Sequence, residues 1–166
     1  MRFLCVASAA HFFISGDNMS TAFLCGNIDE NYFKSVDITN FINIIKSIIE
    51  ENNIEKIYHC KRTFFDVKLC GIVSFLKPDI EIIELRDIHK KDNDYRLRQS
   101  NNAYLPFCPF ETEIENSKLY QTLYDYATEN SEILITYSKF DDDISQQIIK
   151  KAEERGKKVI NIAEMI

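Results

Sequence analysis

The pattern of apolar and polar positions is clearest in the last third of the chain, residues 131–162. The apolar run Ile133–Tyr137 is typical of a parallel strand that is covered on both faces. Three aspartates at 141–143 then precede a segment with apolar residues at helical spacing, and Gly156 follows as a helix stop. A second apolar run at 158–162 predicts another strand. Together these features predict one right-handed βαβ unit.

The same alternation extends back along the chain and defines the predicted fold. Residues 10–14 and 21–25 flank a turn cluster and predict a hairpin, or alternatively a loop with one edge strand. We therefore predict one α/β domain over residues 1–166, a three-layer, Rossmann-like sandwich with a mainly parallel sheet. About five strands are expected, with the hairpin or edge strand added at the N-terminus. The predicted strands are 2–7, 55–60, 80–85, 131–138 and 157–162, and the helices begin near Asp37 (or Thr39), Thr63, Glu113 and Asp141.

Composition narrows the class of protein. A hydrophobic content of 45% with 28% charged residues is ordinary for a globular protein, and the net charge of −6 argues against general nucleic-acid binding. The start of the chain resembles a signal peptide, but its apolar run is too short, and no segment reaches membrane-spanning length. We expect a cytoplasmic protein without a membrane partner.

The five cysteines form no CxxC pair, which predicts reduced thiols rather than disulfides or a zinc site. The adjacent His59 and Cys60 have no second pair at ligand spacing, so we predict no metal site and no cofactor.

A candidate site follows from the rule that ligands bind beyond the carboxyl ends of parallel strands. Lys61, Arg62 and Thr63 begin a predicted helix, where unpaired N–H groups and the helix dipole favour an anion, and Asp66 lies one turn further on. The alternative is a solvated basic pair beside an ordinary capping threonine. The complete set of predicted ligand-binding residues is Lys61, Arg62, Thr63, Asp66, Arg86 and Ser138.

A long polar stretch, 86–110, could cover such a ligand with Arg86 and the basic residues of 89–98, or form a charged surface loop. The sequence contains neither a GxSxG nor an HExxH motif, so catalytic residues stay unassigned.

The order and spacing of these segments over residues 39–162 resemble the SLOG superfamily of Rossmann-like nucleotide-binding proteins. That superfamily includes cytokinin-activating phosphoribohydrolases and DNA-processing protein A. Residues 54–71 stand in the place of the family's first glycine-rich loop, with Asp66 at its acidic position. Ser131 and Glu132 match its Ser-Asp pair, and Ser145 matches a threonine. The glycines of both family motifs are replaced here, so the resemblance implies a divergent member with the same fold and an altered ligand.

Three functions remain open. The first is a non-enzymatic domain that binds or senses a small anionic ligand, such as a nucleotide derivative, at the helix that follows Arg62. The second is an enzyme acting on a nucleoside or nucleotide N-glycosidic bond, for which Asp66 or Glu132 would have to face the cleft. The third is an interaction or assembly module, with a possible homo-oligomer. Its surface would include Phe12, Phe13, Phe64 and Phe65, unless these are core residues.

Overall fold

A computed structural model describes residues 19–28, 30–60, 63–87, 105–139 and 144–166, with only the backbone at 105 and 106. The strands are β1 Ser20–Gly26, β2 Ile54–His59, β3 Glu81–Leu85, β4 Leu105–Phe107, β5 Ile133–Tyr137 and β6 Lys158–Asn161. The helices are α1 Glu30–Ser35, α2 Ile38–Glu51, α3 Phe64–Leu76, α4 Leu119–Glu129 and α5 Ile144–Glu154, and a 3-10 turn, Ile162–Glu164, follows β6.

The six strands form one sheet in the order β4-β3-β2-β1-β5-β6, and every neighbouring pair is parallel. The chain builds outward from β1 through β2, β3 and β4, and then returns to the other side of β1 to add β5 and β6. The order therefore reverses between β1 and β5, as in doubly wound α/β folds.

The side chains of β1 alternate between two hydrophobic layers. Ala22 and Leu24 belong to a buried cluster with residues of α2 and α3, whereas Phe23 and Cys25 belong to a second cluster with residues of α4 and α5. Because successive side chains of a strand point to opposite faces, α2 and α3 cover one face of the sheet and α4 and α5 cover the other. This is a three-layer sandwich, and the predicted α/β fold is confirmed.

Local signals explain where the helices begin and end. The Asp37 carboxylate accepts hydrogen bonds from the backbone N–H groups of Thr39 and Asn40, at 3.0 and 3.2 Å, and so caps α2. Thr63 caps α3 in the same manner. After α5, Gly156 has a φ of +67°, a backbone conformation that side chains with a Cβ rarely adopt.

The N-terminal prediction needs a correction. Residues 21–25, predicted as part of a hairpin or edge strand, belong to β1, which is the central strand and pairs in parallel with β2 and β5. The last five residues of β1 are all buried, as expected for a strand covered on both faces. The predicted strand 2–7 and the first arm of the hairpin, 10–14, lie outside the described residues.

Two short elements were not predicted, and one helix is shorter than expected. The segment Leu105–Phe107, predicted as part of a long irregular stretch, adds β4 to the edge of the sheet beside β3. The six-residue helix α1 contains no buried residue, so it gave no apolar periodicity to detect. The helix predicted from Glu113 begins only at Leu119.

We predict that Gly26→Ala destabilises the fold, because Cβ at this position would lie 2.6 Å from Phe65 Cδ1 and 2.8 Å from the backbone nitrogen of Tyr137. Overpacking of this kind typically costs about 1–3 kcal/mol, which urea unfolding measures. Gly71→Ala is the matched control. Among the described residues, no atom lies within 4 Å of the place that its Cβ would take, so this helical position should gain roughly 0.5–1 kcal/mol. Equal effects at both positions would contradict the packing argument.

Candidate binding site at the carboxyl edge of the sheet

The carboxyl ends of β1 and β5 form the switch point of the sheet. Gly26 pairs with Tyr137, and the Asn27 N–H donates to the Tyr137 carbonyl at 2.9 Å, so the two strands stay together to their ends. The chain leaves β1 towards the layer that holds α2, and it leaves β5 towards the layer that holds α5. Connections that diverge in this way open a crevice between two strand ends, the usual ligand position in this architecture.

Aromatic rings occupy the part of this crevice that faces α3. The ring of Phe65 lies against Gly26 and within 6.2 Å of the Tyr137 ring, centroid to centroid, and both residues are almost fully buried. Tyr32 of α1 continues the group at 5.8 Å from Tyr137. Gly26 therefore accommodates a phenylalanine ring of the protein itself, and a ligand must bind nearer the rim.

Lys139 places a positive charge at that rim. Its Nζ donates a hydrogen bond to the Tyr32 hydroxyl and lies 4.1 Å from the centroid of the same ring and 5.7 Å from that of Tyr137. The hydrogen bond with Tyr32 raises the pKa of Lys139 and lowers the pKa of Tyr32. The exposed ammonium group therefore stays charged at neutral pH and lies beside two aromatic rings.

Ser138, one of the predicted site residues, lies beneath this rim and fixes the end of β5. It is buried; its N–H donates to Asn161 Oδ1 at 3.1 Å, and its carbonyl accepts from Asn161 Nδ2 at 2.9 Å. The Ser138 hydroxyl accepts a hydrogen bond from Gln146 Nε2 of α5 at 3.1 Å. Ser138 therefore joins β5, β6 and α5, which is a positioning role.

Thr63 and Asp66 form a reciprocal capping box at the start of α3. Thr63 Oγ1 accepts from the Asp66 N–H at 3.2 Å, and Asp66 Oδ2 accepts from the Thr63 N–H at 3.4 Å. Asp66 is 1% exposed. The capping prediction for Thr63 is confirmed. Asp66, predicted to bind a ligand, here accepts a hydrogen bond that fixes the start of α3. Lys61 and Arg62 lie outside the described residues.

Arg86 is half-buried and contacts one of two buried polar residues, His59 and Glu84, at the ends of β2 and β3. Its Nε donates to Glu84 Oε1 at 3.0 Å, and the Glu84 side chain is only 9% exposed. Glu84 pairs in register with the fully buried His59, on the sheet face that α3 covers. The ion pair compensates a buried charge, so Arg86 is already engaged by Glu84. From its sequence position His59 was considered only as a metal ligand, because its strand neighbour Glu84 lies 25 residues further along the chain.

Of the two carboxylates named for the enzyme hypothesis, only Asp66 lies at the carboxyl edge of the sheet. Glu132 precedes β5, is exposed, and accepts a hydrogen bond from the Thr21 N–H at 2.7 Å. It therefore lies at the amino edge of the sheet, whereas Asp66 lies at the carboxyl edge. The five residues of β5 span about 16 Å, which separates the two edges.

Three other kinds of feature concern the remaining described residues: metal sites, membrane-spanning helices and cavities. Within the described ranges, no group of three or more His, Cys, Asp or Glu side chains is arranged to hold a metal ion. None of the helices in those ranges combines the length and the apolar character that crossing a membrane requires. A cavity of about 310 Å³ lies between the C-terminal ends of α2 and α3, and one of about 170 Å³ lies between α4 and α5.

Comparison with known proteins leaves the resemblance to the SLOG superfamily as a prediction. No protein-family model matches the chain, and no curated protein matches it as a relative. The fold and the geometry of the carboxyl edge are therefore the basis for a functional proposal.

The buried phenol of Tyr137 predicts a loss of stability at high pH. Burial, followed by the influence of the neighbouring Tyr32 phenol, raises the pKa of Tyr137 to about 12. Because the unfolded chain ionises this phenol near its ordinary pKa of about 10, it releases the proton first, and stability falls as the pH rises from about 10 to 12. Urea unfolding over this range should show a slope that Tyr137→Phe reduces and Tyr120→Phe, at an exposed position, leaves unchanged. An unaltered slope in Tyr137→Phe would refute the assignment.

Proposed function

We propose that this protein is a non-enzymatic binding or sensing domain for a small anionic ligand, such as a nucleotide derivative. The observation that supports the proposal most directly is the Lys139 ammonium group at the switch point, beside the rings of Tyr32 and Tyr137. An ammonium group attracts a phosphate or carboxylate, and the half-buried ring of Tyr32 offers a surface for a planar base, whereas the Tyr137 ring is buried beneath it.

The start of α3 extends this rim. Phe65, in the first turn of α3, contacts Gly26 at the end of β1, so the helix start lies beside the switch point. Lys61 and Arg62 directly precede the cap of this helix in sequence. A ligand between α3 and β5 would therefore lie beside Lys139 and beside the helix start that Lys61 and Arg62 precede in sequence, and charge-assisted hydrogen bonds contribute about 1.5–3 kcal/mol each.

The proposal assigns different roles to the six residues predicted from sequence. Lys61 and Arg62 contact the anion, and Lys139 joins them as a residue that the sequence analysis did not nominate. Thr63 and Asp66 fix the helix start, and Ser138 fixes the end of β5. Arg86 compensates Glu84 and contributes to the rim only if a ligand competes for it. The N-glycosidic enzyme is disfavoured, because Glu132 lies at the amino edge of the sheet, and the Asp66 carboxylate is buried and accepts from the N–H of its own helix cap.

A thermal-shift screen against nucleotides, cyclic nucleotides and ADP-ribose tests the ligand class. A ligand at a hundred times its dissociation constant adds about 2.7 kcal/mol of apparent stability. For any ligand found, Lys61→Ala combined with Arg62→Ala should weaken binding about a hundredfold, and Lys139→Gln about tenfold or more. Calorimetric titration measures both.

Lys150→Gln is the matched control, because it removes the same charge from an exposed position on α5. It should leave the affinity unchanged, and Asp141→Ala should leave it unchanged or slightly improved. If Lys150→Gln weakens binding as much as Lys139→Gln, net charge rather than a site determines affinity. If no compound in the screen shifts the unfolding midpoint at millimolar concentration, the proposal is wrong.

A second candidate, assembly into a homodimer, is favoured by the outer face of α3. Val67, Gly71 and Phe75 repeat at intervals of four residues, and Phe75 is 79% exposed. Around Gly71 no described atom lies within 4 Å of where Cβ would be, so a second helix can approach its backbone closely. A two-fold axis at Gly71 would place Phe75 of each copy against Val67 of the other, with the helix dipoles antiparallel. Phe65, one of the four phenylalanines that the sequence suggested for an oligomer surface, is instead a core residue and lies off this face.

Analytical ultracentrifugation tests this second candidate. The wild-type chain should dimerise at high micromolar concentration, and Phe75→Lys should be monomeric with unchanged folding, because the residue is exposed. Tyr120→Lys, at an exposed aromatic position on α4, should still dimerise. A wild-type chain that stays monomeric at that concentration would exclude assembly through α3.

A further inference from the structure

Two cysteines occupy neighbouring positions on adjacent parallel strands. β1 and β2 pair so that Phe23 lies beside Tyr58. That pair is the last of the β1–β2 register, and continuing the register two residues further along each chain brings Cys25 beside Cys60, which directly follows the end of β2. All four residues belong to the same buried cluster, so the two sulfur-bearing side chains lie on the same face of the sheet, under α4.

We propose that Cys25 and Cys60 form a redox-active dithiol that a peroxide converts into a disulfide. Adjacent strands lie about 4.8 Å apart, and disulfides join residues whose Cα atoms are about 4.4–6.8 Å apart. The bond can therefore form without separating the strands. Both residues are thiols in this structure.

The oxidation needs only the two thiols and one peroxide. The first thiolate attacks the peroxide, the O–O bond breaks, and a sulfenic acid and one molecule of water form. The second thiol attacks the sulfenic sulfur, so that an S–S bond forms, the S–O bond breaks and a second molecule of water leaves. In total, two thiols and one hydrogen peroxide give one disulfide and two molecules of water.

Burial restricts which reagents reach this pair. Cys25 is 3% exposed and Cys60 is 8% exposed, and both are at the carboxyl edge of the sheet. A small neutral oxidant such as hydrogen peroxide is therefore favoured over a bulky disulfide. The side chains of in-register parallel strands lie side by side rather than converging, and strained disulfides are more easily reduced. The resulting bond should be reversible, as a regulatory disulfide requires.

The remaining described cysteines differ in setting. Cys70 lies in the opposite hydrophobic layer, and burial, with smaller contributions from Asp66 and Glu84, raises the pKa of its thiol well above the ordinary value. A thiol of this kind is a poor nucleophile. Cys108 follows β4, which is separated from β2 by β3. Neither Cys70 nor Cys108 therefore lies beside Cys25 or Cys60 on an adjacent strand.

The test uses the full chain with Cys5→Ala, which removes the cysteine outside the described residues. The reduced protein is treated with an equimolar amount of hydrogen peroxide, alkylated and digested. We expect the loss of two of the four thiols, a disulfide-linked peptide pair containing Cys25 and Cys60, and full recovery of both thiols with dithiothreitol. The same treatment of Cys70→Ala should give the same linked pair.

In Cys60→Ala, Cys25 has no resolving partner, so with two or more equivalents of hydrogen peroxide it should progress through sulfenic to sulfinic acid, which dithiothreitol does not restore. A second probe needs no substitution at either position: arsenite, an arsenical that is small and neutral at pH 7, bridges two close thiols and should bind once per chain, protecting both from alkylation. Linkage of either cysteine to Cys108 or to another chain, loss of no thiols, or failure of the arsenical to protect this pair would each overturn the proposal.

Discussion

The structure depends on the pairing of β1 on both sides. Its backbone is removed from water by layers on both faces, so its N–H and C=O groups must find partners in the neighbouring strands. β2 and β5 supply them, and since both pairings are parallel, each neighbour must be reached by a crossover. Right-handed crossovers that leave in opposite directions then place α2 and α3 on one face and α4 and α5 on the other. The switch point is a consequence of this single strand.

The sequence predicted an element correctly wherever the environment of that element leaves a local pattern of apolar and polar residues. Parallel strands covered on both faces appear as apolar runs, and α2 and α3 begin at polar caps, so their bounds agree with the prediction to within a residue or two. β1 was misjudged because its run, TAFLC, is preceded by a turn cluster and another apolar run, which locally resembles a hairpin. Only the non-local partners of β1 distinguish a central parallel strand from a hairpin arm, and no local pattern contains them.

The site was less predictable because its residues are defined by contacts between distant segments. The residues at the start of α3 were correctly predicted to cap the helix. Thr63 and Asp66 also use each other as hydrogen-bond partners, which the sequence did not indicate. Lys139 was overlooked because nothing in its sequence neighbourhood indicates that Tyr32, more than a hundred residues earlier, lies beside it. A glycine-to-aromatic contact such as that of Gly26 with Phe65 is equally invisible, since it depends on how closely a helix approaches a strand.

The capping box has a consequence for selectivity. The carboxyl group of Asp66 is tethered one turn from the helix start, where it already accepts from the Thr63 N–H. An external anion at this position competes with an acceptor whose effective concentration is high because it belongs to the same chain. Singly charged anions, such as chloride or a simple carboxylate, would gain little by displacing the Asp66 carboxylate. For the proposed ligand the consequence is selectivity: only an anion that brings several strong acceptors at once, as a phosphate group does, would gain enough to bind at this helix start.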